Sequence, residues 1–197
     1  PVNVSGNVTN ADYTWTNNNI SIGLNQQTGD ENIPGFITEN NTGNPLISII
    51  NVSTSFTYYN QTCIGNGLNF SIAVNPDPNV YTVMNYSICN GEANSEVNIS
   101  GNTLGASYSW INSNSTIGLP TSGNGNIPIF IGTNETLLPI IGTITLIPQY
   151  TEHGLTCLGQ NEEFEIQINP TPKLNILDTS ICSGEYTNLS LSADIQS

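Results

Sequence analysis

The sequence predicts an all-β protein built of sandwich domains in tandem. Three observations carry that prediction. Apolar and polar residues alternate along short runs, which is the pattern of strands with one dry and one wet face. Helix signals are nearly absent: no long stripe of 3.6-residue period exists, and Ala, Leu, Lys and Glu are scarce. The chain also repeats itself. Tyr13–Leu24, YTWTNNNISIGL, returns 95 residues later as Tyr108–Leu119, YSWINSNSTIGL.

The repeat extends well beyond that stretch. Trp15 returns as Trp110, Cys63-Ile-Gly as Cys157-Leu-Gly, Asn75-Pro-Asp-Pro as Asn169-Pro-Thr-Pro, and Ile88-Cys-Asn-Gly-Glu as Ile181-Cys-Ser-Gly-Glu. A period near 94 residues is long enough for each unit to hold its own core, unlike a solenoid repeat. The boundaries read 1–76 for a first unit, 77–170 for a complete second and 171–197 for the start of a third. Pro1-Val-Asn-Val-Ser-Gly aligns with Glu96-Val-Asn-Ile-Ser-Gly, so the first unit lacks the counterpart of Val80–Ser95, its first strand included. The chain therefore reads as an excerpt of a longer array. It shows no signal peptide and no apolar run of membrane-spanning length.

The elements follow in order. Tyr13 and Trp15 share one strand face, as do Tyr108 and Trp110. Leu46, Ile50, Val52 and Phe56 share one parity, matched by Ile140, Ile144, Leu146 and Tyr150. Phe70, Ile72 and Val74 point inward from their strand, and Phe164, Ile166 and Ile168 from theirs. Gly and Asn in GN, SGNGN, NNTGNP and EHG supply the positive φ that turns between strands need. About seven short strands per period is the number expected of an immunoglobulin-like sandwich. Asn75–Asn79 and Asn169–Lys173 close each unit. Their prolines cannot donate to a ladder and stiffen the joint, so the domains are expected to stand in line.

Composition narrows the partners. Charged residues make up 8% of the chain, its only cationic side chain among Lys and Arg is Lys173, and the net charge is −14. Nucleic acid is excluded, because phosphate binding needs clustered Lys or Arg. An anionic membrane surface would repel the chain, and no direct insertion is expected. The polarity comes from Asn, Ser and Thr, with 31 Asn.

Cys63, Cys89, Cys157 and Cys182 recur in register, two per period, which points to disulfides and an extracellular location. Strand order governs their pairing. In an up-and-down sandwich, Cys89 lies in the turn after the first strand and Cys157 in the last hairpin, at opposite ends of a domain. The expected pattern is a ladder between repeats, with each ICxGE cysteine bonded to the TCxG cysteine of the following domain. All four partners would then lie outside this chain.

Each candidate site has a structural role to set against the functional one. Trp15 and Trp110, with Tyr13 and Tyr108, are expected in the cores rather than as sugar platforms. Glu162, Glu163 and Glu165 lie along one strand, and in the first copy Leu68, Asn69 and Ser71 stand in their places. They do not form the facing carboxylate pair of a glycosidase. No metal site is expected: His153 is the sole histidine, no Cys-x-x-Cys occurs, and Asp77 of one joint is matched by Thr171 in the other. No nucleophile–base pair, P-loop or dinucleotide fingerprint is present, so neither an enzyme nor a cofactor is expected. Twelve Asn-x-Ser/Thr sequons occur, under twice the number that composition alone would give. Tyr58, Tyr59 and Tyr81 are the aromatics best placed to be spare once the cores are filled.

In order, Ile88–Glu92 (ICxGE), Tyr108–Trp110 (YxW), Thr156–Gly159 (TCxG) and Asn169–Pro172 (NPxP) resemble the PKD-like and Ig-like repeats of giant cell-surface proteins of Bacteroidota. That family includes adhesins of the gliding SprB type, exported by type IX secretion. The resemblance covers essentially the whole chain, though the Gly-Asp-Gly signature of standard PKD domains is missing. It implies a structural segment of a cell-surface adhesin filament that serves adhesion and gliding, with neighbouring repeats of the same chain as its immediate partners. The alternatives are a polysaccharide-binding array and the non-catalytic stalk of a secreted hydrolase.

Overall fold

The computed structural model describes residues 1–175, 180–186 and 192–193. The protein is all-β. Its first sheet holds β1 (Asp12–Asn17), β2 (Thr28–Asp30), β3 (Leu46–Tyr58), β4 (Gln61–Ile64) and β5 (Leu68–Val74). The strand order is β2-β1-β3-β4, with β5 also on β3. The second sheet holds β6 (Tyr86–Cys89), β7 (Ser107–Asn112), β8 (Ser122–Asn124), β9 (Ile140–Glu152), β10 (Leu155–Leu158) and β11 (Glu162–Asn169). Its order is β6-β11-β9-β7-β8, with β10 also on β9. The third run of sequence contributes β12 (Leu174–Asn175) and β13 (Ser192–Ala193), an antiparallel pair.

The long central strands organise each sheet. β3 spans 13 residues, and two shorter strands share one of its edges. β5 covers its first half, from Leu46↔Val74 to Val52↔Leu68, and β4 its second, from Ser55↔Ile64 to Tyr58↔Gln61. β9 is likewise 13 residues long and is shared by β11 and β10. The turns that return these strands have two consecutive residues at positive φ, Tyr59 and Asn60 (45° and 60°) and His153 and Gly154 (50° and 77°). That is the type I′ geometry whose twist matches a tight hairpin.

The count of seven strands per period is too high. Residues 77–170 hold six strands, and the segments around Ala93–Ile99 and Ile127–Ile131 form no continuous ladder, pairing as the isolated bridges Ala93↔Ile131 and Val97↔Ile127. The reason is chemical. Asparagine side chains take over backbone groups that a ladder would use. Asn126 Oδ1 accepts from the Ile99 amide at 3.0 Å, and Asn94 Oδ1 accepts from the Phe130 amide at 2.6 Å. Pro128 has no amide hydrogen to offer. The segments still close over the sheet, because Ile99, Ile127 and Phe130 are buried in the same cluster as Trp110, Ile144, Phe164, Ile166 and Ile168.

The chain divides into two compact units. The first comprises Pro1–Asn79 with Asn102–Ala106 and Gln149–Gly159, and the second the remainder. The first unit's apolar cluster is Trp15, Ile22, Leu24, Ile33, Ile50 and Val74. Alternation sets both cores. Ile144, Leu146 and Tyr150 are buried on β9, while the odd positions between them are only partly covered.

Candidate functional site

The tryptophans are anchors. Trp15 and Trp110 retain 2% and 3% of their exposure. Each stands opposite a glycine on the neighbouring short strand, Trp15↔Gly29 and Trp110↔Gly123. The indole lies where a Cβ on that glycine would sit, so the glycine's missing side chain makes room for the ring. Neither indole nitrogen finds a hydrogen-bond partner. A ring so enclosed offers no face to a sugar. Tyr13 and Tyr108, two residues earlier on the same faces, are half-buried, and Tyr108 packs against the second core. Burial raises the pKa of Tyr108, with Tyr81 adding to the shift.

Asparagine does the work that sequence reasoning missed. Asn17 and Asn112 are buried just after the tryptophans. Asn17 Nδ2 donates to the carbonyls of Leu24 and Gln26, and Asn112 Nδ2 to those of Asn114 and Leu119, at 2.9–3.0 Å. Asn19 and Asn114 each cap a short 3₁₀ turn, Ile20–Ile22 and Ser115–Ile117, closed by Gly23 and Gly118 in the left-handed region. Asn40 and Asn134 clamp the loop ahead of the long strand. Asn40 Nδ2 bonds the Asn44 and Val74 carbonyls, and Asn134 Nδ2 bonds those of Leu138 and Ile168, at 2.8–2.9 Å. Four of the sequons, at Asn19, Asn40, Asn114 and Asn134, are therefore structural hooks whose amide nitrogens are already engaged. The signal was present in the sequence, because these asparagines recur in register.

The ICxGE motif is a capped turn. Gly91 and Gly184 take φ of 83° and 98°. The glutamates reach back, with Glu92 Oε2 accepting from the Cys89 amide at 2.9 Å and Glu185 Oε2 from the Cys182 amide at 3.4 Å. The four thiols are free: Cys63, Cys89 and Cys182 are exposed, and Cys157 is partly buried.

The carboxylates do not converge. Glu163 and Glu165 lie on the exposed face of β11, and Glu163 accepts from the Thr145 hydroxyl at 2.9 Å. No group of three or more His, Cys, Asp or Glu that could hold a metal gathers among the described residues. No helix of the described residues is long and apolar enough to cross a membrane.

Two surface features of the first unit remain. Tyr58 and Tyr59 are 62% and 87% exposed at the end of the β3–β4 hairpin. With Phe56 they form an aromatic ledge. Phe56 and Tyr58 stack at 6.4 Å, and Tyr59 meets Tyr58 edge-on at 4.3 Å. The corresponding residues of the second copy are Tyr150, Glu152 and His153, and there the Tyr150 hydroxyl donates to Glu152 Oε2 at 2.7 Å. Tyr81 is exposed by itself. The second feature is a cavity of about 630 Å³ whose wall includes Val2, Tyr13, Val52, Phe56, Cys63 and Phe70.

No family model matches the chain, and a search of the curated proteins finds no significant relative.

Proposed function

We propose that the chain is a structural segment of a long cell-surface adhesin filament, made of tandem immunoglobulin-like sandwich domains and serving adhesion and gliding. One observation carries this reading: the residues that recur in register are architectural. Trp15 and Trp110 fill cores, Gly29 and Gly123 make room for them, and Asn17, Asn40, Asn112 and Asn134 tie loops to strands. The exposed aromatic ledge of Phe56, Tyr58 and Tyr59, which could bind something, does not recur, because Tyr150, Glu152 and His153 stand in its place. A protein selected as a repeated binding module would repeat its binding residues. Selection for a repeated load-bearing unit repeats the framework. The low cationic content and the cysteine register fit an extracellular setting.

Force spectroscopy tests the reading. A stretch of several repeats pulled between handles, with any disulfides between repeats reduced, should unfold in steps of roughly 300 Å, the extended length of one period at ~3.3–3.6 Å per residue. A single step, or steps unrelated to that length, would sink it.

The exposed ledge favours a second reading, binding of polysaccharide by this unit. Stacked and edge-on aromatics at a hairpin tip offer apolar area at low entropic cost. Titration with surface polysaccharides decides between the two. Saturable binding that is lost in Tyr58→Ala and Tyr59→Ala would replace the pure spacer with a binding module.

A further inference from the structure

The sequence holds three Asn-Gly pairs, Asn66-Gly67, Asn90-Gly91 and Asn124-Gly125. Such a pair carries its own latent chemistry. The backbone nitrogen of the glycine can attack the asparagine Cγ, because no Cβ on the glycine shields it or stiffens the approach. The attack needs that nitrogen to be free. In two of the pairs it is engaged. The Gly91 amide donates to the Gly132 carbonyl and the Gly125 amide to the Tyr108 carbonyl, each at 2.8 Å. The Asn90 side chain is occupied as well, accepting from the Asn134 amide at 2.9 Å.

Asn66-Gly67 differs. It lies in the link between β4 and β5, where Ser55 pairs with Ile64 and Val52 with Leu68. Gly65, Asn66 and Gly67 therefore stand against Ser53 and Thr54 alone, as a bulge of one extra residue. The Gly65 amide holds one side of it, donating to the Thr54 carbonyl at 2.9 Å. Among the described residues, neither the Gly67 amide nor the Asn66 side chain has a hydrogen-bond partner. Both residues are exposed. The exposure belongs to the link itself, because Gln160 and Asn161, which stand in their places in the second unit, are exposed too.

We propose that Asn66 is a site of spontaneous covalent modification, converted through a cyclic imide to aspartate and isoaspartate with water as the only co-reactant. The Gly67 nitrogen gives its proton to hydroxide and bonds to Asn66 Cγ. The Cγ–Nδ2 bond breaks, and Nδ2 leaves as ammonia with a proton taken from water. Water then opens the imide. Cleavage of the new bond between Cγ and the Gly67 nitrogen gives aspartate. Cleavage of the original bond between the Asn66 carbonyl carbon and that nitrogen gives isoaspartate. Either product adds a negative charge to a chain of net charge −14, and isoaspartate adds one carbon to the main chain. The bulge is where the sheet can take that length, since β4 and β5 hold β3 in separate ladders on either side of it. The modified chain keeps its sheet and gains a charge at a fixed point as it ages.

The test incubates the whole chain at mildly alkaline pH, with and without urea, and follows the three Asn-Gly peptides by mass spectrometry after chymotryptic digestion. Isoaspartate is read by enzymatic methylation of its carboxylate. In the folded chain Asn66 should convert at least about fivefold faster than Asn90 or Asn124, the factor that one net hydrogen bond on the attacking nitrogen corresponds to. Urea should bring the three rates together. Asn66→Gln gives the link the residue that the second unit carries there, and should abolish conversion in that peptide without changing the melting temperature. Equal rates at the three sites of the folded chain, conversion of Asn90 or Asn124 ahead of Asn66, or no conversion of Asn66 would each overturn the proposal. Hydrogen exchange in β4 and β5 should be as slow in the aged protein as in the fresh one, and faster exchange there would overturn the tolerance ascribed to the bulge.

Discussion

Gly123 stands opposite Trp110 across the β7–β8 ladder, and the indole occupies the volume that any larger residue would need. Two effects of a Gly123→Ala change compete. Removing a glycine from a strand should help by roughly 0.5–1 kcal/mol through the unfolded chain. The new methyl must push against a ring held from all sides, and such overpacking costs roughly 1–3 kcal/mol. The clash should win. Urea unfolding is expected to show a net loss of about 1 kcal/mol or more for Gly123→Ala, and a neutral result would mean that the ring can move aside.

Trp110→Ala tests the other half of the pair. The ring is 3% exposed in a cluster with Ile144 and Phe164. Its removal should cost ~3–5 kcal/mol of stability. A loss below about 1 kcal/mol would show that the ring contributes little to the core.

The strand faces were legible in the sequence because they rest on alternation, which is local. Ile144, Leu146, Phe164, Ile166 and Ile168 fall inside as their parity requires. The turn chemistry was legible at His153-Gly154, but Tyr59-Asn60 makes the same turn without a glycine. The number of strands was not legible, because Asn94 and Asn126 replace ladder bonds with side-chain bonds and leave their segments paired as isolated bridges. An asparagine on the surface and one that clamps a loop look alike until their carbonyl partners are known. The cavity beside Phe70 was hidden for a related reason. The alternation of β5 says that Phe70 points inward, but not whether anything closes over it.

The asparagine clamps give a sharper test than composition does. Asn134 is 3% exposed, gives both amide hydrogens to the Leu138 and Ile168 carbonyls, and accepts from the Thr136 amide at 2.8 Å. Asn134→Ala strands these groups, and each buried group left unpaired costs roughly 1–3 kcal/mol. Asn134→Asp should not rescue it, because a carboxylate oxygen would then face two carbonyl oxygens. The exposed Asn51 serves as control, and its alanine variant should stay within about 0.5 kcal/mol of the parent. Equal stabilities for the Asn51 and Asn134 variants would remove the clamp from the account.

Alkaline pH should weaken the fold. The hydrogen bond from the Tyr150 hydroxyl to Glu152 holds that phenol above its ordinary value of 10.0. Burial raises Tyr86, and the Asn94 amide beside it offsets only part of the effect. A raised folded value means that the native state holds its proton more tightly than the unfolded chain. The contribution is therefore complete below the unfolded pKa and is lost as pH rises through the folded one. Melting temperature should be flat on this account up to about pH 9.5 and should fall above pH 10. In Tyr150→Phe the fall should be shallower. An identical alkaline slope in that variant would show that the Tyr150–Glu152 bond does not couple to folding.

The cysteines give the last test, and strand register frames it. Ile88 pairs with Ile168, and Ile168 with Ile140, at one end of β9. Cys157 pairs with Tyr150, ten residues further along the same strand. At ~3.3 Å per residue that separation is about 33 Å. A disulfide allows ~7 Å at most between Cα atoms. Cys89 and Cys157 therefore cannot bridge without dismantling the sheet between them. The proposed ladder places every bond between repeats, so that Cys89 bonds the TCxG cysteine of the domain that follows. The 197-residue chain should then release four thiols to a thiol reagent after denaturation without reductant. Non-reducing peptide mapping of a longer stretch of the array should find the ICxGE peptide of one repeat joined to the TCxG peptide of the next. A Cys89–Cys157 peptide pair in the native protein would overturn both the ladder and the β6–β11–β9 register.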